Sequence, residues 1–303
     1  MALLDGFTHH RIATGTVDIH VAQGGPEGGG PPLLLLHGFP ETHAMWRLVA
    51  PDLARRYTVV AADLRGYGDS DKPADAGDTG HALYSKRAMA ADMVAVMAAL
   101  GHPRFRLAAH DRGARVAHRL ALDHPETVER LCLMDIVPGS VVYGTVDQRV
   151  ATAYWHWFFL IQPAPFPERL LGLDAEFVLA SALRGLSPQA GQGEASPFPP
   201  AVMAEYLRCF RNPATLHAMC EDYRAGAGID LAHEAEDRRL GRRIQCPTLV
   251  LWGKNGLVGR AYDPLAVWGE VCRDLQGEAL DCGHFLPEER PQDVLRALLD
   301  FMG

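Results

Sequence analysis

Short apolar runs separated by helix-period segments set the architecture of this chain. Residues 16–22 (TVDIHVA) alternate apolar and polar positions, the period-2 mark of a half-buried strand, and the Gly- and Pro-containing run from Gly24 to Pro32 is turn chemistry. Leu33–Leu36 is continuously apolar and short, as a strand covered on both faces must be. Similar runs predict strands at Thr58–Ala62, Phe105–Ala109, Leu131–Met134 and Thr248–Trp252. Helical periodicity predicts helices over Ala44–Ala54, Lys86–Leu100, Ala114–Asp123 and Pro291–Phe301. Strands alternating with helices imply an α/β fold with a mostly parallel, doubly wound sheet and a site at the carboxyl ends of its strands. Between Pro138 and about Ala225 the alternation gives way to an aromatic-rich stretch, Tyr154–Phe159, with proline turns and helical patterns. The expected organisation is therefore a core over 1–137, an inserted helical cap over 138–225, and the rest of the core over 226–303. Within the cap, Ser187–Pro200 carries several Gly and Pro and reads as a surface loop.

Composition narrows the partners. The 303 residues are 48% hydrophobic and 22% charged, enough for a sizeable core. A net charge of -8 argues against nucleic acid or an anionic membrane as partner, so an anionic substrate must be drawn in by local arginines. The six cysteines show neither CxxC pairing nor zinc-ligand spacing and are expected to be reduced thiols. The start, MALLDGFTHH, has neither the basic nor the apolar region of a signal peptide. No run approaches the roughly 18 apolar residues of a membrane span. The expected location is the cytoplasm.

The strongest chemical signal follows the strand at 105–109. In Ala109-His110-Asp111-Arg112-Gly113, small residues flank the centre of a strand-to-helix turn, the setting of a nucleophile elbow, but the exposed centre is Asp111 where G-x-S-x-G has serine. A carboxylate needs no proton removed before it attacks an sp3 carbon, and the covalent ester it forms must then be hydrolysed by an activated water. His284, in Asp281-Cys282-Gly283-His284-Phe285 before the terminal helix, is the expected base. The segment after Leu249–Trp252, Gly253-Lys254-Asn255-Gly256, has no acid to orient it, so Asp135 after Leu131–Met134 is assigned that role. In His37-Gly38-Phe39-Pro40, the Phe39 N–H is expected to join the Arg112 N–H in an oxyanion hole.

The segments LLLLHGFPETHAMW, ADLRGYGDSDKP, HDRGARVAHRLALDHP, MDIVP, YWHWFFLIQPAP, CEDYRAG and GHFLPEE together resemble the fluoroacetate dehalogenases, a branch of the α/β-hydrolases, from about residue 15 to the C-terminus. HGFP and DLRGYG are shared with epoxide hydrolases and haloalkane dehalogenases; HDRGAR with WHW and EDYRAG is the specific combination. The resemblance implies an α/β-hydrolase fold with a cap, a homodimer, and a small 2-haloacid substrate. It makes Asp111 the nucleophile, His284 the base and Asp135 its partner. Arg112 and Arg115 become ligands of the substrate carboxylate, and His156, Trp157 and Tyr223 the donors to the leaving halide. Chemistry agrees: guanidiniums at i, i+3 beside a nucleophile can hold a carboxylate, and fluoride needs several converging donors. Neither a metal nor an organic cofactor is implied. Two departures bear on substrate range: Gly139-Ser140 where family members tend to have Thr-Tyr, and Leu186 where a tryptophan is common. The competing readings are an epoxide hydrolase with the same nucleophile and base, and a non-catalytic small-molecule receptor on a hydrolase fold.

Overall fold

The computed structural model describes residues 3–74, 77–187 and 196–303. Its strands are β1 Thr8–Ala13, β2 Asp18–Gly24, β3 Pro32–Leu36, β4 Thr58–Ala62, β5 Phe105–His110, β6 Val128–Met134, β7 Thr248–Gly253 and β8 Leu275–Leu280. They form one sheet in the order β1-β2-β4-β3-β5-β6-β7-β8. The β1/β2 and β2/β4 pairs are antiparallel and all others parallel, so the sheet is mostly parallel as the alternation implies. Leu33–Leu36 in β3 and Val59–Ala62 in β4 have no solvent exposure, which is why those runs are apolar at every position.

All six strand predictions hold to within three residues. The sequence reading assigned no element to β1 and did not delimit β8, both at the sheet edges. Their burial alternates or stays partial, and a polar-rich strand such as Thr8-His9-His10-Arg11-Ile12-Ala13 carries little apolar signal. Helices Lys86–Ala99 and Pro291–Met302 match their predictions closely. The predicted helix at 44–54 is a 3-10 turn, His43–Leu48, followed by the short helix Ala50–Leu53 with Pro51 in its first turn. The helix after β5 begins at Asp111 itself, three residues before its predicted start, and runs to Asp123 with Asp111–Ala121 all buried.

Between β6 and β7 the described residues form a run of helices from Gly139–Gly144 to Ile229–Leu240. Helix Pro213–Ala227 spans the expected boundary at 225. Of the predicted loop 187–200, residues 188–195 lie outside the described residues, and helix Pro200–Phe210 starts at its end. Among the described residues no helix is long and apolar enough to cross a membrane. The six cysteines are all unpaired thiols, five of them buried.

Strand order decides where a ligand can sit. Going outward from β3 the chain places β4 on one side and β5 on the other, so their connections diverge and leave a crevice at the carboxyl ends of β3 and β5. His37-Gly38-Phe39 leaves β3 there, and Asp111 leaves β5 opposite it.

Candidate active site

The elbow and the turn after β3 interlock through backbone. The Gly113 N–H donates to the His37 carbonyl at 2.9 Å, and a Cβ on Gly113 would lie 2.4 Å from that oxygen. A Cβ on Gly38 would lie 2.6 Å from the Asp111 Cβ. Two glycines are thus needed for the close approach. Asp111 pays for its position with φ 44°, a left-handed conformation uncommon for a non-glycine residue. The result is a carboxylate whose Oδ1 accepts the Phe39 N–H at 3.0 Å. The turn itself is pinned by His37, whose Nε2 accepts the Leu64 N–H at 3.0 Å while Nδ1 donates to the Gly38 carbonyl at 2.9 Å. Arg112, second in its helix, keeps a backbone N–H with no partner within the helix, beside the nucleophile.

The other two expected members of the triad come to the same place. His284 Nδ1 donates to Asp135 Oδ2 at 2.6 Å, and its Nε2 lies 3.8 Å from Asp111 Oδ2, too long for a hydrogen bond and facing it. Asp135 Oδ1 accepts the Gly253 N–H at 2.8 Å, and the residue sits at φ 52°. Burial alone would raise the Asp111 pKa, but His284, His110, Arg112 and Arg115 outweigh it and hold it at about 2. The nucleophile is therefore ionised throughout the working range.

Sequence reasoning quoted His110 in the elbow without giving it a task, and did not weigh Glu41. His110 is fully buried, with Nδ1 3.1 Å from Glu41 Oε2 and Nε2 2.8 Å from the His284 carbonyl. Both ring nitrogens face acceptors, so both must donate and the ring is an imidazolium. Burial opposes that charge, yet Glu41, Asp111 and the carbonyl prevail and push its pKa up to about 9. The His284 backbone is held from its other side by its own N–H, which donates to the Leu186 carbonyl at 3.1 Å. Leu186, noted from sequence as a departure, thus contributes through its backbone. The signal that could have found Glu41 is its spacing of two residues from Phe39 in HGFPE.

The two arginines differ. The Arg112 guanidinium is committed to Asp222, with Nε to Oδ2 at 2.8 Å, Nη2 to Oδ1 at 2.9 Å and Nη2 to the Asp222 carbonyl at 2.8 Å. Asp222 also accepts from the Tyr67 hydroxyl at 2.7 Å and from the Lys86 ammonium. Arg115 Nη1 donates to the Val137 carbonyl at 3.0 Å, and its buried Nε has no hydrogen-bond partner among the described residues. Asp222 lay within CEDYRAG, but a partner 110 residues away leaves no local pattern.

The three expected halide donors line one aromatic wall. His156 stacks on Phe39, with ring centroids 5.5 Å apart. Tyr223 meets Phe39 edge-on at 5.5 Å, His156 at 5.9 Å and Trp157 at 6.0 Å. The guanidinium carbon of Arg112 lies 4.0 Å from the Tyr223 ring centroid, and that of Arg115 lies 4.6 Å from the Trp157 ring. The Tyr223 hydroxyl is buried without a partner among the described residues. Burial drives the His156 pKa down to about 3, so the ring is neutral. Burial and the Asp111 charge raise Tyr223, and burial with Asp135 and Asp111 raises Tyr154, so both phenols stay protonated donors. Tyr154 stacks on Trp157 at 5.2 Å. It stood unremarked in the aromatic run read from sequence. A cavity of about 30 Å³, the size of one water, is lined by Arg112, Arg115, Trp157, Gly139 and Gly226 among others.

Known proteins are similar to this chain at several depths. The α/β hydrolase fold family matches residues 31–291. A fluoroacetate dehalogenase from Burkholderia sp is 45% identical over 99% of this chain and 95% of its own length. A soluble epoxide hydrolase from Corynebacterium sp. (strain C12) is 33% identical over 97% of this chain and 96% of its own. The solved structure of an α/β-hydrolase-fold protein from Nostoc sp PCC 7120 superposes with a TM-score of 0.92 at 51% identity, covering 98% of both chains.

Proposed function

The chain belongs to the fluoroacetate dehalogenase branch of the α/β-hydrolase family, and from that premise we propose that it hydrolyses the carbon–halogen bond of small 2-haloacids such as fluoroacetate. The observation that carries this reading is a carboxylate nucleophile with two buried guanidiniums within one helical turn of it, a setting that suits an anionic substrate. In the reaction, Asp111 Oδ2, left free because Oδ1 is held by the Phe39 N–H, attacks C2 of the substrate from the side opposite the halogen, as displacement at an sp3 carbon requires. The carbon–halogen bond breaks and halide departs with its electron pair, leaving an ester on Asp111. A water then attacks the ester carbonyl while His284 Nε2 takes its proton, Asp135 stabilising the imidazolium. The Phe39 and Arg112 N–H groups hold the tetrahedral oxyanion. Collapse breaks the bond to the substrate oxygen, which takes up the proton held by His284 as the 2-hydroxy acid leaves, and the second proton of the water is released to solvent with the halide, returning the Asp111 carboxylate.

Arg115 and the remaining Nη1 of Arg112 orient the substrate carboxylate. Trp157, His156 and Tyr223 donate to the leaving halide, and each such donor is worth roughly 3 kcal/mol where charge develops.

The test is halide release from fluoro-, chloro- and bromoacetate by wild type and Tyr223→Phe. Wild type is expected to act on all three, and the variant to lose at least tenfold more on fluoride than on bromide. His284→Asn is expected to accumulate a carboxymethyl ester on the peptide containing Asp111, read by mass spectrometry. No halide from any haloacid would overturn the reading. A second reading, epoxide hydrolysis, is favoured by Tyr154 and Tyr223, two protonated phenols in the field of Asp111 that could polarise an epoxide oxygen. Diol formation from styrene oxide without fluoride release would select it.

A further inference from the structure

Beyond the active centre, three imidazoles from distant parts of the chain meet at the carboxyl end of β4. His9 comes from β1, His20 from β2 and His43 from the first position of the 3-10 turn after HGFPET. His9 and His20 are stacked with centroids 5.1 Å apart, and His43 meets their edges at 5.5 and 4.8 Å. One ligand nitrogen from each ring lies within 4.8 Å of the others. His9 Nδ1 and His20 Nε2 are 2.9 Å apart.

An independent feature aims these rings. Asp63 is fully buried behind them. Its Oδ2 accepts His20 Nδ1 at 2.8 Å and the Asp69 N–H at 3.0 Å, and its Oδ1 accepts His43 Nδ1 at 2.9 Å and the His43 N–H at 2.8 Å. With both oxygens doubly occupied, the carboxylate fixes the Nδ1–H tautomer of both rings and turns their Nε2 lone pairs to the front. A carboxylate behind an imidazole is how metal-ligating histidines are oriented and made more basic. A hydrogen-bonded histidine cluster is the plainer alternative: there the His9 Nδ1–H would occupy the His20 Nε2 lone pair, the one a metal ion would take. Asp63, Asp69 and Glu205 surround the three rings with negative charge, which favours a dication there.

We infer that His9, His20 and His43 form a divalent zinc site, with Asp63 as the orienting carboxylate and the fourth position open to water. Tetrahedral zinc with bonds of about 2.0–2.1 Å requires nitrogens about 3.4 Å apart, a small adjustment of the present separations. His9 is exposed, so the ion enters from solvent without disturbing the core. The site clips the N-terminal hairpin to the segment that follows the oxyanion turn, which assigns it a structural task distinct from the dehalogenation reading.

The experiment uses full-length protein stripped with chelator and dialysed against zinc, with metal content measured by mass spectrometry and Tm followed in parallel. One equivalent is expected to bind and raise Tm. His9→Ala should weaken binding at least tenfold and abolish the Tm rise, yet leave metal-free halide release unchanged. His9→Cys should restore binding and, with cobalt, add a thiolate charge-transfer band. His10→Ala, at the neighbouring strand position, should behave as wild type. Absence of saturable binding in wild type, or binding by His9→Ala as tight as wild type, would overturn the site.

Discussion

At the residue scale, the centre depends on groups whose charge is decided by a few neighbours. Asp111 is held low by His284, His110, Arg112 and Arg115, and His110 is held high by Glu41, Asp111 and the His284 carbonyl, so the buried centre carries a carboxylate and an imidazolium side by side. This has a pH signature. The folded pKa of His110, about 9, lies above the roughly 6.5 of an unfolded histidine, so its contribution to stability is complete below about pH 6.5 and is lost as pH rises through 9. The amount at stake is on the order of 3 kcal/mol. Urea unfolding from pH 6.5 to 10 is expected to show wild type converging on His110→Asn as pH rises. Parallel curves would mean that the ring is neutral when folded. Asp111 acts in the opposite sense: its depressed pKa stabilises the fold above about pH 3.8 and ceases to do so as pH falls through 2.

Elements place these residues by abutting backbone on backbone. The elbow after β5 and the turn after β3 fit only because Gly38 and Gly113 lack side chains, and His37 braces the turn against Leu64. Gly113→Ala would drive a methyl into the His37 carbonyl, an atom that cannot swing aside. The expected cost exceeds about 3 kcal/mol, at or beyond the usual overpacking range. Thermal unfolding measures it directly, and a Tm within a degree of wild type would show that the two turns can separate. A comparable change at Gly172, where a Cβ would come no nearer than 4.0 Å to another side chain, should be mild and serves as the control.

Across the whole molecule, helix Pro213–Ala227 is tied to the sheet core by Asp222, which meets Arg112 on the nucleophile helix, Lys86 on helix Lys86–Ala99 and Tyr67 on the loop after β4. Burial penalises that charge, but Arg112 and Lys86 hold the carboxyl far below its ordinary value. Asp222→Ala strands the buried Arg112 guanidinium, leaves Lys86 only Asp230 at 3.6 Å, and is expected to cost about 3–5 kcal/mol, while Asp222→Asn should cost less. If the alanine variant unfolds at the wild-type urea midpoint, the ion pairs are not what joins the two parts. The organisation of the molecule was legible in the sequence wherever a local pattern carried it. Continuous apolar runs marked the central strands because both their faces are covered, and small residues around Asp111 marked the elbow because only they fit the turn. Family resemblance supplied the wider set of site residues, and the structure links them by contacts: Phe39 and His284 with Asp111, Asp135 with His284, His156 and Tyr223 with Phe39, Arg112 with Tyr223 and Arg115 with Trp157. Tertiary structure alone decided the rest: the polar edge strands β1 and β8, the pairing of Glu41 with His110 and of Asp222 with Arg112, and the meeting of His9, His20 and His43. Those contacts join residues 11 to 110 positions apart, and buried charge is settled by neighbours in space, which leave no periodicity along the chain.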